Sequence, residues 1–358
     1  MTGKPFRVID TGLRDARANI AFSQALIEAR KQGRVPDTIR FLRFPSCVLI
    51  GRHQILASEV RLDYCREKGL QVARRITGGG VVFMAPGMLG WELVCHRDTL
   101  ESDNLGELAR GICEAAADGV SRLGLPAKYR PRNDIEVEEH KIGGTGGYFD
   151  GDALFYQGTL LIDFDPKDMV GALNAPDDKQ ARRALESAVE GVITVRELLG
   201  ERTPELPTIQ KMLLNGFNAR LDVGAEPGAI TEHEETLAQK LLQEEIGTEA
   251  FVDGVKEPSP TPDTVAATQG APGGTVRAHV RLEGKERTQI HEVRLSGDFF
   301  VMPPRVVADL QDALRGVDFD QAPAAVDRFF AGAQVSLMSI KPEDFKAAIV
   351  AALKQRES

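Results

Sequence analysis

Apolar and polar residues alternate through 38-TIRFLRF-44, the period of a half-buried strand, and 47-CVLIG-51 is a short unbroken apolar run of the kind a buried strand carries. The period lengthens to that of a helix in 20-IAFSQALIEARKQG-33, with Asn19 as expected cap and Gly33 as stop. A helix is expected near 59-EVRLDYCREKG-69. Strands follow at 70-LQVARR-75, 81-VVFM-84 and 91-WELVCH-96, then a helix over 103–124 and a strand or strand pair in 153-ALFYQGTLLIDFD-165. Helical patterns occupy 178–200, 207–220 and 229–246, the last opening with Thr231 and Glu234 at capping-box spacing. The stretch 257-EPSPTPDTVAATQGAPGG-274 lacks large apolar residues and reads as a flexible linker. Beyond it, 276-VRAHVRLEG-284 and 288-TQIHEVRLSGDFF-300 alternate as a hairpin would, and helical patterns cover 304–315 and 341–355. The pattern predicts an α+β chain: a large domain over 1–255, a linker over 256–274 and a small α+β domain over 275–358.

Composition narrows the function classes. The 358 residues carry a net charge of -9, which argues against a general nucleic-acid surface. From residue 276 onward 12 Lys and Arg balance 12 Asp and Glu, so the acidic excess lies upstream. The four cysteines, Cys47, Cys65, Cys95 and Cys113, form no CxxC pair, and the start lacks the apolar core of a signal peptide. No apolar run reaches membrane-spanning length. A reduced, cytoplasmic setting is expected. The six histidines have no HExxH spacing, so a zinc site is not expected.

Two glycine-rich regions carry the candidate chemistry. In 74-RRITGGG-80, Arg74 and Arg75 precede Thr77, Gly78, Gly79 and Gly80. Glycine backbone can approach a ligand closely, and guanidinium groups suit phosphate or carboxylate. A plain turn with solvated arginines fits equally. The spacing is neither GxxxxGK[ST] nor GxGxxG. The second region joins Lys141 to 143-GGTGG-147, just after 132-RND-134. Lys141 can neutralise a phosphate or a reacting carboxylate, and Asp134 can ligate Mg²⁺; an ordinary surface lysine and a simple strand start at Asn133 and Asp134 stay open.

These segments carry a resemblance. The N-terminal part resembles the lipoate–protein ligase branch of the lipoate and biotin ligase superfamily through 45-PSCVLIGRHQ-54, 74-RRITGGG-80, 132-RND-134, 141-KIGGTGG-147 and 158-GTLL-161, in family order over about residues 15–200. The segment 292-EVRLSGDFF-300 resembles the family's C-terminal accessory domain. The resemblance implies a class II aminoacyl-tRNA synthetase/biotin–protein ligase-like mixed β-sheet flanked by helices. It implies ATP-dependent joining of lipoate to AMP, then transfer to a lysine on a small acceptor domain, with ATP, Mg²⁺ and lipoate as ligands. By the match, Lys141 bridges the acyl carboxyl and the α-phosphate. Arg74, Arg75 and 77-TGGG-80 line the acyl end and the adenylate, and Asn133 and Asp134 face the nucleotide or Mg²⁺. Gly143, Gly144, Thr145, Gly158 and Thr159 complete the site, with Val81, Val82 and Leu89 as candidate acyl-tunnel residues against a core-packing alternative.

The chain also departs from the family. Where ligases read His-Asp-x-Gly-Asn it has 84-MAPGM-88, and 86-PGMLG-90 is nearer the octanoyltransferase branch. Tyr156-Gln157 stand for His-His. The rivals are an ATP-independent octanoyl or lipoyl transferase and a non-catalytic lipoate or adenylate binder. The transferase needs a cysteine downstream of Gly-Thr-Leu-Leu, and none follows Cys113. An acceptor contact is expected through Arg74, Arg75, Lys128, Arg130 and Arg132, with a solvated face as the alternative; the chain is expected to act as a monomer, with no nucleic-acid or membrane partner.

Overall fold

The computed structural model describes residues 5–100, 102, 104–131, 133–174, 190–258, 261–284, 288–338 and 340–357. Two compact units emerge: one from residues 1–49, 59–74 and 83–251, the other from 50–58, 75–82 and 252–358.

The first unit is built on an eight-stranded mixed sheet. Its strands are β1 (Arg7–Leu13), β2 (Thr38–Arg43), β6 (Met88–His96), β7 (Lys128–Arg130), β8 (Asp134–Val137), β9 (His140–Asp150), β10 (Ala153–Leu161) and β11 (Glu226–Pro227), in the order β11-β1-β2-β6-β10-β9-β8-β7. β1 runs parallel to β2 and β11, and every other pairing is antiparallel. A smaller sheet orders β4 (Gln71–Arg74), β3 (Cys47–Ile50) and β5 (Val82–Met84) as β4-β3-β5. This is the mixed sheet flanked by helices that the resemblance implies. Alternation sets its two faces: on β1, Val8 packs against the core of Phe41, Trp91, Leu93, Ile112 and Phe217, while neighbouring Ile9 joins Phe22, Ala25 and Ala238. Helices Leu105–Ser121 and Leu206–Leu221 cover the first face. They cross closely at Gly216, where a Cβ would lie 2.7 Å from Gly119 Cα.

Several boundaries differ from expectation. The first helix spans Ala16–Lys31 and is capped by Asp15, whose carboxylate accepts from the Arg17 and Ala18 amides. Asn19 lies one turn inside it, buried, and donates to Arg14 O and Arg43 O. Asn19 does not cap the helix because its amide serves these tertiary contacts. The 59–69 helix is confined to Leu62–Lys68 and stops at left-handed Gly69. In 178–200 only the part from 190 is described, containing the helix Val195–Leu199; 178–189 lies outside the described residues. The Thr231–Glu234 capping box is present as expected.

The second unit holds an antiparallel sheet of β12 (Thr264–Ala271), β13 (Gly274–Glu283) and β14 (Gln289–Gly297), and a pair of short strands, β15 (Phe300–Met302) and β16 (Ser336–Met338). Helices Arg305–Ala313, Ala322–Gly332 and Pro342–Lys354 bury Val306, Leu310, Phe345 and Ile349 against Val276, Ala278, Val280, Val293 and Leu295. The expected linker is corrected here: residues 264–271 form β12, paired with β13 along its whole length. Strand pairing holds this small-residue edge together with the packing of Val265, Ala267 and Ala271 on the unit's core, contacts that composition does not reveal. Among the described residues no helix is long and apolar enough to cross a membrane.

Candidate functional site

The second glycine-rich region is not a loop. Residues 143–147 lie within β9, opposite β10, with Thr145 across from Gly158 and Gly147 across from Tyr156. Glycines inside a strand mark close backbone approach. A Cβ on Gly143 would lie 2.2 Å from Thr159 O. At Gly158 it would lie 2.1 Å from the Trp91 ring. Gly158 is therefore explained by room for Trp91.

Between β8 and β9 the register runs Ile135↔Gly143 and then Glu136↔Lys141, so Ile142 is an extra residue and the pair carries a bulge. Bulges re-aim neighbouring side chains. The main chain at Lys141 is pinned by two bonds, from its N to Gly191 O at 2.8 Å and from Ile193 N to its O at 2.9 Å. Its Nζ lies 2.7 Å from Asp134 Oδ1. Gly144 leaves space for this: a Cβ there would be 3.0 Å from the Lys141 Nζ. Arg130 holds the other carboxylate oxygen at 2.6 Å. Burial pushes the Asp134 carboxyl up, but Lys141 and then Arg130 outweigh it and hold it below its ordinary range. The result is a half-buried carboxylate between two cations, with a net positive balance beside β9.

Asn133 and Thr145 clasp one another. Thr145 N and Oγ1 both donate to Asn133 O, at 2.8 and 3.0 Å, and Asn133 Nδ2 donates back to Thr145 O at 2.8 Å. Thr159 Oγ1 accepts from Gly144 N at 3.3 Å. The structure thus brings Asn133, Asp134, Lys141, Gly143, Gly144, Thr145, Gly158 and Thr159 together on adjacent strands. Arg130 was expected only as part of an acceptor-binding stretch. Its role as the second partner of Asp134 was readable from the facing charges of 128-KYR-130 and 134-DIE-136, whose register pairs Arg130 with Asp134.

The first glycine region belongs to the second unit and is engaged there. The Arg75 guanidinium donates to Gly78 O at 3.0 Å, Gly80 O at 2.7 Å and Thr77 Oγ1 at 3.3 Å. Gly79 N approaches Phe299 O at 3.4 Å, and a Cβ on Gly78 would lie 2.0 Å from that same oxygen. His53 stacks on Phe299 at 4.9 Å between ring centroids. Phe299 itself is buried in that unit's core. Arg74, in the first unit, is fully buried and donates Nε to Phe251 O at 3.0 Å.

The expected surface patch for an acceptor is corrected at Arg74 and Arg75, while Lys128 and Arg130 keep exposed side chains. Arg74 and Arg75 are buried, because their guanidiniums satisfy backbone carbonyls. Lys128 pairs with Glu136 at 3.2 Å, and Arg130 is held by Asp134 and Glu136. Arg132 lies outside the described residues. Of the candidate tunnel residues, Leu89 is buried in the first unit's core and Val82 is exposed.

Magnesium does not fit Asp134 as arranged. Both carboxylate oxygens already face cations, Lys141 on one and Arg130 on the other. All four cysteines are buried, and burial pushes every thiol above its ordinary range.

Residues 15–218 match the lipoyl protein ligase A/B catalytic domain. The chain is 28% identical to lipoate-protein ligase A subunit 1 of Thermoplasma acidophilum over 67% of its own length and 93% of that protein. It is 24% identical to the lipoate-protein ligase LplJ of Bacillus subtilis over 87% of its length and 89% of that protein. The octanoyltransferase LipM of Moorella thermoacetica is likewise 24% identical, over 67% of this chain and 95% of its own. Among solved structures, the bipartite ligase of the Thermoplasma acidophilum lipoylation system, described with its E2 lipoyl domain, is 26% identical with a TM-score of 0.63, covering 72% of this chain and 100% of that one. A lipoate-protein ligase A bound with ATP is 26% identical with a TM-score of 0.62, over 70% of this chain and 99% of that one. P. falciparum LipL1 in complex with lipoate shares the fold over 98% of this chain and 99% of its own, with a TM-score of 0.71 at 16% identity.

Proposed function

The chain belongs to the lipoyl protein ligase A/B catalytic domain family, a family of ligases and octanoyltransferases, and from that premise we propose that it is an ATP-dependent lipoate–protein ligase. In the first step a lipoate carboxylate oxygen attacks the α-phosphorus of ATP, the bond to the β-phosphate bridging oxygen breaks, and pyrophosphate leaves. In the second, the neutral ε-amine of an acceptor lysine attacks the acyl carbon of lipoyl-AMP; AMP leaves with the bonding pair and the amine sheds a proton.

The observation that carries this reading is the placement of Lys141, an ammonium held at fixed geometry beside β9 by a carboxylate it shares with Arg130. Two anions, a carboxylate and a triphosphate, repel one another as they approach. A preorganised cation lowers that barrier because it needs no reorganisation when charge builds on the α-phosphate. We assign Lys141 to contact the acyl carboxylate and the α-phosphate, with Asp134 and Arg130 holding it and the Asn133–Thr145 clasp fixing Asp134. Magnesium enters as the counter-ion of ATP, a substrate. Octanoate, shorter but with the same carboxylate, is a candidate alternative acid.

The transferase alternative is favoured by 86-PGMLG-90 and by the octanoyltransferase relatives. It requires an accessible thiolate, and burial disfavours that ionisation at every cysteine here. The Moorella octanoyltransferase also aligns over nearly its whole length to only two-thirds of this chain, whereas the Bacillus ligase aligns over 87% of it. For the acceptor we propose a small folded domain presenting one lysine; the Thermoplasma ligase is described with an E2 lipoyl domain, which supports a lipoyl domain in that place. Incubating the protein with lipoate, MgATP and a lipoyl domain tests the reading: mass spectrometry is expected to show one added lipoyl group and AMP in solution. Acceptor acylation from an octanoyl thioester without ATP would overturn it.

A further inference from the structure

We propose that Tyr156 is a positioning residue for Lys141, acting through Thr145 and the Asn133–Asp134 arm; this rests on the assignment of Lys141 as the activating cation. Tyr156 lies on β10 with no exposed surface. Its hydroxyl is 3.0 Å from Thr145 Oγ1. Cys113, from the helix Leu105–Ser121, places its Sγ 3.1 Å from the same oxygen and 3.4 Å from the Tyr156 hydroxyl.

The direction of these bonds follows from counting protons. Thr145 has one hydroxyl proton, and it points to Asn133 O at 3.0 Å. Toward Tyr156 and Cys113 it can then only accept. Both neighbours keep their protons at neutral pH, since burial pushes the phenol and the thiol up. The chain of donation runs from Tyr156 to Thr145 to the Asn133 carbonyl, one residue before the carboxylate that holds Lys141. The tyrosine ring is itself clamped. Gly147 leaves the space it fills, for a Cβ there would lie 2.3 Å from ring atom Cδ2. Trp91 stacks beside it at 6.4 Å between centroids. With the ring fixed, the hydroxyl cannot swing away, and Thr145 is held in the one rotamer that secures the arm. A phenylalanine would fill the same space but remove one of the two neighbours that fix the Thr145 hydroxyl, leaving Cys113 alone to steer it.

The test uses Tyr156→Phe in the full chain, with three readouts: thermal midpoint, acetylation of Lys141 by acetic anhydride followed by peptide mass spectrometry, and lipoate-dependent ATP–pyrophosphate exchange. Positioning predicts a midpoint within a few degrees of wild type. It also predicts Lys141 labelling raised several-fold, and an exchange kcat lowered by about tenfold with KM values within about twofold. Thr145→Val, which removes the central hydroxyl, is expected to raise labelling equally, and the double variant to do no more than either single change. It serves alone should Tyr156→Phe not fold. Unchanged labelling and unchanged kcat in a folded variant would overturn the proposal and leave Tyr156 a core residue with a satisfied hydroxyl. Wild-type protein without exchange would sink the ligase reading, while the labelling comparison would still decide whether Tyr156 orders Lys141.

Discussion

Lys141 Nζ stands 2.7 Å from Asp134 Oδ1, and the same carboxylate accepts from Arg130 at 2.6 Å. Asp134 is thus the hub on which the reactive cation is hung. Its carboxyl is held below the ordinary range, so its unfolded pKa is the higher one. The pair's stabilisation is fully present above about pH 4, the unfolded value, and is lost as pH falls through the lower folded one. Asp134→Asn is expected to remove that acid-limb dependence and to lower stability by about 1.5–3 kcal/mol at neutral pH. Thermal midpoints of both proteins between pH 3 and pH 7 check this; parallel curves would contradict it.

Two glycines in this region separate fold from chemistry. A methyl at Gly158 would sit 2.1 Å from the rigid Trp91 ring, so Gly158→Ala is expected to destabilise by about 1–3 kcal/mol. At Gly144 the nearest atoms are the flexible end of Lys141, at 3.0 and 3.1 Å. Gly144→Ala is expected to fold with near-normal stability and a reduced rate of pyrophosphate release. Denaturant melts alongside the assay distinguish the two; equal stability losses would count against it.

Beneath the sheet, Arg40 and Glu92 form a fully buried ion pair at 3.1 Å, with Ser23 donating to Glu92 at 2.6 Å and Asn19 accepting from Arg40 at 2.6 Å. Glu92→Ala would strand the guanidinium and is expected to cost about 3–5 kcal/mol. The double change Arg40→Met with Glu92→Leu should recover most of that loss. A urea titration of both variants measures it, and a mild single variant would show that water or a new partner reaches Arg40.

The cysteines give a test of the transferase alternative. Each is buried with its thiol pushed up, so the folded protein is expected to keep its activity after iodoacetamide and to show no alkylated cysteine by mass spectrometry. Stoichiometric alkylation with loss of acyl transfer would point to a thioester route.

Much of this was readable in the residues. Alternation in 288-TQIHEVRLSGDFF-300 marked a strand because one face is buried; 38-TIRFLRF-44 alternates as well, although there the polar face, Thr38 and Arg40, is buried too; and Thr231 with Glu234 marked a helix start because both ends of the capping box are local. Local rules failed where long-range contacts decide. Gly143, Gly144, Gly146 and Gly147 carry no side-chain pattern that marks a strand, yet their missing side chains let β9 press against β10. Residues 264–271 read as linker because their side chains are small, yet backbone pairing makes them a strand. Arg74 and Arg75 read as outward cations, but distant carbonyls, Phe251 O among them, draw both inward. Cys113 gave no signal at all: a lone cysteine in a helix reveals nothing until Thr145 and Tyr156 are seen beside it.

The central claim is that Lys141 activates a carboxylic acid with ATP. Pyrophosphate release by wild type and Lys141→Ala, with lipoate, with octanoate and with no acid, tests it most directly. The account predicts acid-dependent release by wild type that falls by about a hundredfold or more in the variant, with little change in thermal midpoint. Release that persists in Lys141→Ala, or its absence from folded wild type with both acids, would contradict it.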